Sequence, residues 1–199
     1  MSALKIVTAT HGDRHLSVAL ALDKLGMAAC KTNANLELAL AALEDAFLIR
    51  RELLGLEHLD TVDSLNNIAG VRLNLKQYDL AAKDYYAVLV HRMELFGQKH
   101  ISVAATAFQV AWILETFLHQ SGEAREFYLF SLHSYQALHL EESPQAQIIL
   151  DRLSHRQESG SYPNSPEVED LEDERMSFLP PSLSQQSRGT SRRIPMDAS

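Results

Sequence analysis

The sequence predicts an all-α fold in which antiparallel helix pairs stack into a solenoid, and three observations predict it. A short motif recurs as GDRHLSVA from Gly12, GLEHLDTV from Gly55 and GQKHISVA from Gly97, so the copies stand 43 and then 42 residues apart. A fixed spacing of this length marks an internal repeat. Between the copies, apolar residues return at three- and four-residue steps, the period of a helix rather than a strand. In the middle unit these are Val62, Leu65, Ile68 and Ala69, then Leu80, Ala81, Tyr85, Val88 and Leu89. Of the six prolines only Pro144 precedes residue 157, so little interrupts the helical pattern.

Taken in chain order, residues 2–14 read as half of a unit. The run ALKIVTATHGDRH, Ala3 to His15, resembles VLVHRMELFGQKH ending at His100, the close of a second helix and its turn. The chain therefore begins inside a repeat, either as a fragment of a longer array or with Met1 opening a half-repeat that caps the solenoid. Units over about 15–57, 58–99 and 100–141 follow. In each motif the Gly ends a helical run, where a left-handed backbone is least costly. Ser17, Asp60 and Ser102, two residues after the His, are the expected N-caps, because an oxygen side chain accepts from the free N–H groups of a helix start. A terminal helix over 143–156, SPQAQIILDRLSHR, has Ser143 as cap and Pro144 at the first helical position.

Beyond residue 156 the composition changes. Residues 157–199 are rich in Ser and Pro and include the acidic block EVEDLEDE, Glu167 to Glu174. Such a segment cannot bury enough apolar surface to offset its ordering entropy, and a disordered tail is expected. Its RGTS, Arg188 to Ser191, is a loose match to a basophilic kinase site.

Composition narrows the function classes. A net charge of −8 argues against a nucleic-acid binder. Cys30 is the single cysteine, so neither an intramolecular disulfide nor a thiolate zinc site is available, as suits a reducing compartment. No apolar run reaches membrane-spanning length, and a soluble, cytoplasmic protein without membrane insertion is expected. His11 and His15 have the spacing of a helical metal pair, but Gly12 and Asp13 lie between them in a turn, so no metal or other cofactor is expected. With no phosphate loop, HExxH pair or GxSxG elbow, the expectation is a protein that is not an enzyme.

The run HLDTVDSLNNIAGVRLNLKQYDLAAKDYYAVLVHRMELFG, His58 to Gly97, resembles a tetratricopeptide repeat of the kinesin light chain type, with units of about 42 residues. SLNNIAG, Ser64 to Gly70, corresponds to that family's Leu-Asn-Asn-Leu-Ala core. Its small–aromatic–small pattern in the second helix is met by Ala81, Tyr85 and Val88, by Ala124, Tyr128 and Ser131, and by Ala39, Leu43 and Ala46. Arg72 departs from the pattern, standing where an aromatic is usual.

The resemblance implies a right-handed superhelical solenoid whose first helices line a concave groove for an extended peptide or protein partner. Its register places Asp23, Lys24 and Met27 on that face in the first unit, Asn66, Asn67, Gly70 and Asn74 in the second, and Phe108, Gln109 and Trp112 in the third. Asn66 and Asn67 lead this set, since an amide both donates to and accepts from a ligand backbone. The alternatives are that an Asn ties neighbouring helices together and that Trp112 only fills space between units. A non-catalytic adaptor or scaffold is thus expected, with open repeat ends offering a surface for self-association. The other reading is an accessory repeat segment of a larger enzyme or signalling ATPase.

Overall fold

A computed structural model describes residues 12–32 and 35–158, together with Thr8 and Thr10. Seven helices follow one another among the described residues, with no strand: α1 Leu16–Thr32, α2 Leu36–Leu54, α3 Leu59–Asn74, α4 Tyr78–Phe96, α5 Ile101–Thr116, α6 Ser121–Ala137 and α7 Pro144–Glu158. Each helix packs on the next, most densely within the hairpins α1–α2, α3–α4 and α5–α6, and α1 also touches α3. The described residues form one compact unit ending at Glu158. The last helix runs two residues past the expected limit at 156, and the tail and most of the half-unit over 2–14 lie outside the described residues.

The helix stops follow from the glycines. Gly55 and Gly97 close α2 and α4 at φ 90°, ψ 168° and φ 76°, ψ 170°, a region that only glycine enters without strain. Their N–H groups donate to Arg51 O and Met93 O, and Gly12 N donates to Thr8 O in the same way, so the stop recurs ahead of α1.

The helix starts correct the sequence reading. The N-cap is the histidine, not the residue two further on: Nδ1 of His15, His58 and His100 accepts from the backbone N–H of Ser17, Asp60 and Ser102, each at 3.2 Å. A neutral imidazole protonated on Nε2 presents Nδ1 as an acceptor, and its ring reaches the second free N–H. Ser17, Asp60 and Ser102 therefore sit inside the first turn, and the Oγ atoms of Ser17 and Ser102 lie 2.7 Å from the same Nδ1. Ser143 does cap as read, with Oγ accepting from Ala146 N at 3.3 Å.

The core is built from the small–large–small pattern. Ala39, Leu43 and Ala46 in α2 and Ala81, Tyr85 and Val88 in α4 are all buried. Ala124, Tyr128 and Ser131 do the same in α6. Ala39 and Leu43 meet Ile68 and Val71 of α3 in one cluster, so each second helix is shared between its own hairpin and the next. Leu80, expected inside, is 46% exposed at the start of α4. Gly26 is buried because α1 and α2 approach so closely that a Cβ there would stand 2.7 Å from Leu43 Cγ.

Candidate functional site

The face read from the sequence divides into residues that the fold occupies and residues that it leaves free. Asp23 belongs to the first group. Its Oδ2 pairs with the Arg50 guanidinium across the first hairpin while Oδ1 is buried without a hydrogen-bond partner among the described residues. Burial pushes the Asp23 carboxyl above its ordinary range, and this outweighs the opposing pull of Arg50. Asn74 is also engaged: its Nδ2 donates to Cys30 Sγ at 3.3 Å, tying α3 to α1. Asn74 is thus a tie between helices.

Asn66 and Asn67 are half-buried on α3, and neither forms a side-chain hydrogen bond among the described residues. One turn on, Gly70 has no side chain, and a Cβ at that position would be 3.5 Å from the Tyr85 hydroxyl. Lys24 and Met27 are exposed on α1. On α5, Gln109 is half-buried, Phe108 is tilted against Tyr128 at 5.7 Å, and Trp112 meets Phe117 edge-on at 5.2 Å. Phe117 in turn stacks on Tyr78 at 4.1 Å, so Trp112 is half-buried in an aromatic group joining α4 to α5. Packing and exposure coexist at Trp112.

What the sequence reading missed is a repeated arginine clasp beneath this face. Arg50 of α2 donates to Ser64 Oγ of α3, and Arg92 of α4 donates to Thr106 Oγ1 of α5 at 2.7 Å. Ser64 and Thr106 pass the bond on to the carbonyls of Asp60 and Ser102 at 2.9 and 2.7 Å. A carboxylate completes each clasp: Asp23 for Arg50 and, at 2.9 Å, Asp63 for Arg92. The signal was present, since the two arginines and the two hydroxyl residues each recur after 42 residues. Arg72, the departure from pattern, bridges Glu44 of the preceding hairpin at 2.9 Å and Asp84 of its own at 2.6 Å. It does with charge what an aromatic would do by packing. In the third unit, Glu115 Oε2 accepts from the Tyr128 hydroxyl at 2.8 Å and from Arg152 at 2.6 Å, which fastens α7.

A cleft of about 340 Å³ opens beside α1 and α2, lined by Thr8, Val18, Leu22, Leu48 and Ile49 with charged residues at its rim. Among the described residues no group of three or more potential metal ligands gathers, and no helix is long and apolar enough to cross a membrane.

Comparison with solved structures fits this geometry. A Podosopora anserina protein described as a kinesin light chain with nearly identical TPR-like repeats matches with a TM-score of 0.59 at 19% identity, over 80% of this chain and 84% of that one. The fold is a tetratricopeptide-repeat solenoid. A variant of the same Podosopora protein gives a TM-score of 0.53 at 18% identity, over 77% and 81% of the two chains. In sequence, 80 residues are 34% identical to the clustered mitochondria protein homolog of Emericella nidulans. That match takes in 40% of this chain and spans 6% of the length of the relative. No family model matches the chain.

Proposed function

We propose that the chain is a non-catalytic interaction module that holds an extended peptide or protein segment along its first helices, with Asn66 and Asn67 as the central contacts. The observation that carries this reading is the contrast within one polar row. Asp23 and Asn74 are committed to the fold, whereas Asn66 and Asn67 stand half-buried with their amides unused among the described residues. Partly desolvated donors and acceptors without partners favour a ligand that supplies them, and a peptide backbone supplies both. Lys24, Met27, Gln109 and Trp112 would extend the contact on either side, Trp112 offering apolar area near Phe117. Such a module would serve as an adaptor in the cytoplasm.

The test is a pair of measurements on one variant. Partners captured with the intact chain are reduced to the binding peptide and titrated against Asn66→Ala/Asn67→Ala. Binding should weaken by about 1–3 kcal/mol, the cost of leaving buried polar groups unpaired, with the melting temperature nearly unchanged. Unchanged binding with a lower melting temperature would make both residues structural.

A second reading has its own support. The match to a short part of the much longer clustered mitochondria protein homolog favours an accessory repeat segment of a larger protein. The groove contacts would be the same in that setting.

A further inference from the structure

We infer that Gly70 and the Tyr85 hydroxyl beneath it form a notch that reads the main chain of a bound peptide, the hydroxyl donating to a backbone carbonyl of an extended segment lying across α3. Resting on the groove reading above, the notch adds to Asn66 and Asn67 a buried donor and a limit on how close the peptide comes. Three residues share one register place on successive first helices: Met27 on α1, Gly70 on α3 and Trp112 on α5. The outer two are large, and the middle one has no side chain. Among the described residues, and apart from its chain neighbours and the α3 backbone, a Cβ at Gly70 would meet no atom within 4 Å except the Tyr85 hydroxyl at 3.5 Å. The missing side chain leaves that hydroxyl as the floor of an open place.

The repeat shows that this hydroxyl is unlike its counterpart. Tyr128 holds the same place in α6, is 2% exposed and donates to Glu115 Oε2 at 2.8 Å. Tyr85 is 7% exposed and forms no hydrogen bond among the described residues. A polar group in so apolar a setting is favoured by an acceptor, and α3 supplies none. Burial pushes the Tyr85 phenol above its ordinary range, so it keeps its proton and acts as a donor.

Distances say where the acceptor sits. An O–H···O bond closes at about 2.7–2.8 Å, shorter than the 3.5 Å from the hydroxyl to the Cβ position. An oxygen bonded to Tyr85 from the side of Gly70 therefore takes the space that a side chain at residue 70 would fill, and glycine there lets a main chain approach. Asn66 and Asn67 stand one turn earlier on the same helix, with amides free of side-chain hydrogen bonds among the described residues. The two amides and the phenol make one polar row along α3. A peptide backbone suits such a row because it offers a carbonyl at every residue, whatever the side chains.

Peptides selected on the intact chain from a random dodecapeptide phage library serve as probes, and those whose affinity falls with Asn66→Ala/Asn67→Ala are kept as groove binders. For these, isothermal titration calorimetry should show Tyr85→Phe weakening binding about fivefold or more, the loss of one buried hydrogen bond. Gly70→Ala should weaken it by about tenfold or more, since the methyl takes the place of the carbonyl. Thermal melts should leave Tyr85→Phe near the parent and Gly70→Ala at or above it, because the ring keeps its packing and the methyl makes only an ordinary contact. Together the two changes should weaken binding no more than Gly70→Ala alone, since a carbonyl kept away by the methyl has no hydroxyl bond to lose. Unchanged binding in either single variant, or additive losses, would overturn the notch while the groove reading stands. If no selected peptide responds to the double Asn change, the groove reading falls and the notch falls with it. A peptide residue whose change to Ala abolishes the sensitivity to Tyr85→Phe would put a side chain on the hydroxyl and overturn the main-chain assignment.

Discussion

Replacing Gly26 by Ala sets two effects of opposite sign against each other, and the structure decides between them. Alanine inside a helix is favoured over glycine by about 1 kcal/mol. Against that, the added methyl carbon would lie 2.7 Å from Leu43 Cγ, 3.0 Å from Leu43 Cδ2 and 3.0 Å from the carbonyl oxygen of Ala39. Leu43 is fully buried, its Cγ is a branch point and not a mobile tip, and the carbonyl is α2 backbone. Relief requires the two helices to separate or Leu43 to leave its rotamer, an overpacking cost of roughly 1–3 kcal/mol. The net prediction is a loss of up to about 2 kcal/mol in urea denaturation followed by circular dichroism. Two controls share the chemistry without the clash. Gly122, with nothing within 4 Å, and Gly70, with the Tyr85 hydroxyl at an ordinary 3.5 Å, should each be stabilised or unchanged on replacement by Ala. In a Leu43→Ala background two of the three contacts vanish, and Gly26→Ala should become neutral or favourable, a coupling of about 1–3 kcal/mol. A stability for Gly26→Ala alone that rises by about 1 kcal/mol, the full gain of an unclashed helix alanine, would refute the close approach of α1 and α2.

Gly55→Ala and Gly97→Ala should each lose about 1–3 kcal/mol although, among the described residues, none beyond the chain neighbours comes within 4 Å of the added carbon, because the cost is backbone strain at positive φ with extended ψ. His58→Ala should lose about 1 kcal/mol through the missing cap, and His58→Asn should recover most of it, as thermal melts would show. Asp23 fixes the sign of a pH effect. Burial raises its folded pKa above the ordinary 3.8, so just above that pH the folded chain holds a proton that the unfolded chain has released. The stability contributed by Asp23 is then fully present below the unfolded value and is lost as pH rises through the folded one. The parent should lose stability relative to Asp23→Asn as pH rises through that window; a relative gain would mean that pairing with Arg50 outweighs burial.

The parts of the fold that could be read from the sequence are those fixed by local chemistry repeated in register. Gly55 and Gly97 announce helix stops because few other residues accept their backbone angles, and Ala81, Tyr85 and Val88 announce a buried stripe because their spacing follows the helix period. The helix starts were misread by two residues. Asp60 and Ser102 satisfy the usual preference for an oxygen cap, and an imidazole nitrogen at His58 and His100 does that work here. Arg50 and Arg92 stayed hidden for a different reason. Their partners, Ser64 and Thr106, are 14 residues away in the next hairpin, a distance at which only the recurrence of both pairs gives a signal. Arg72, which broke the family pattern, turned out to join two hairpins by charge. Within the candidate face, the register placed the residues but could not say which were already engaged; Asp23 and Asn74 are, and only three-dimensional contacts with Arg50 and Cys30 reveal it.

The side-chain amide signals of Asn66 and Asn67 in a nitrogen-edited NMR titration with the captured peptide test the central claim most directly. Both amides are free of side-chain partners among the described residues, so both should shift strongly and saturate with the same affinity as the bulk binding, while the Asn74 amide, held by Cys30 Sγ, moves less. Saturable binding that leaves the Asn66 and Asn67 amides unmoved would contradict the account and place the peptide on another face.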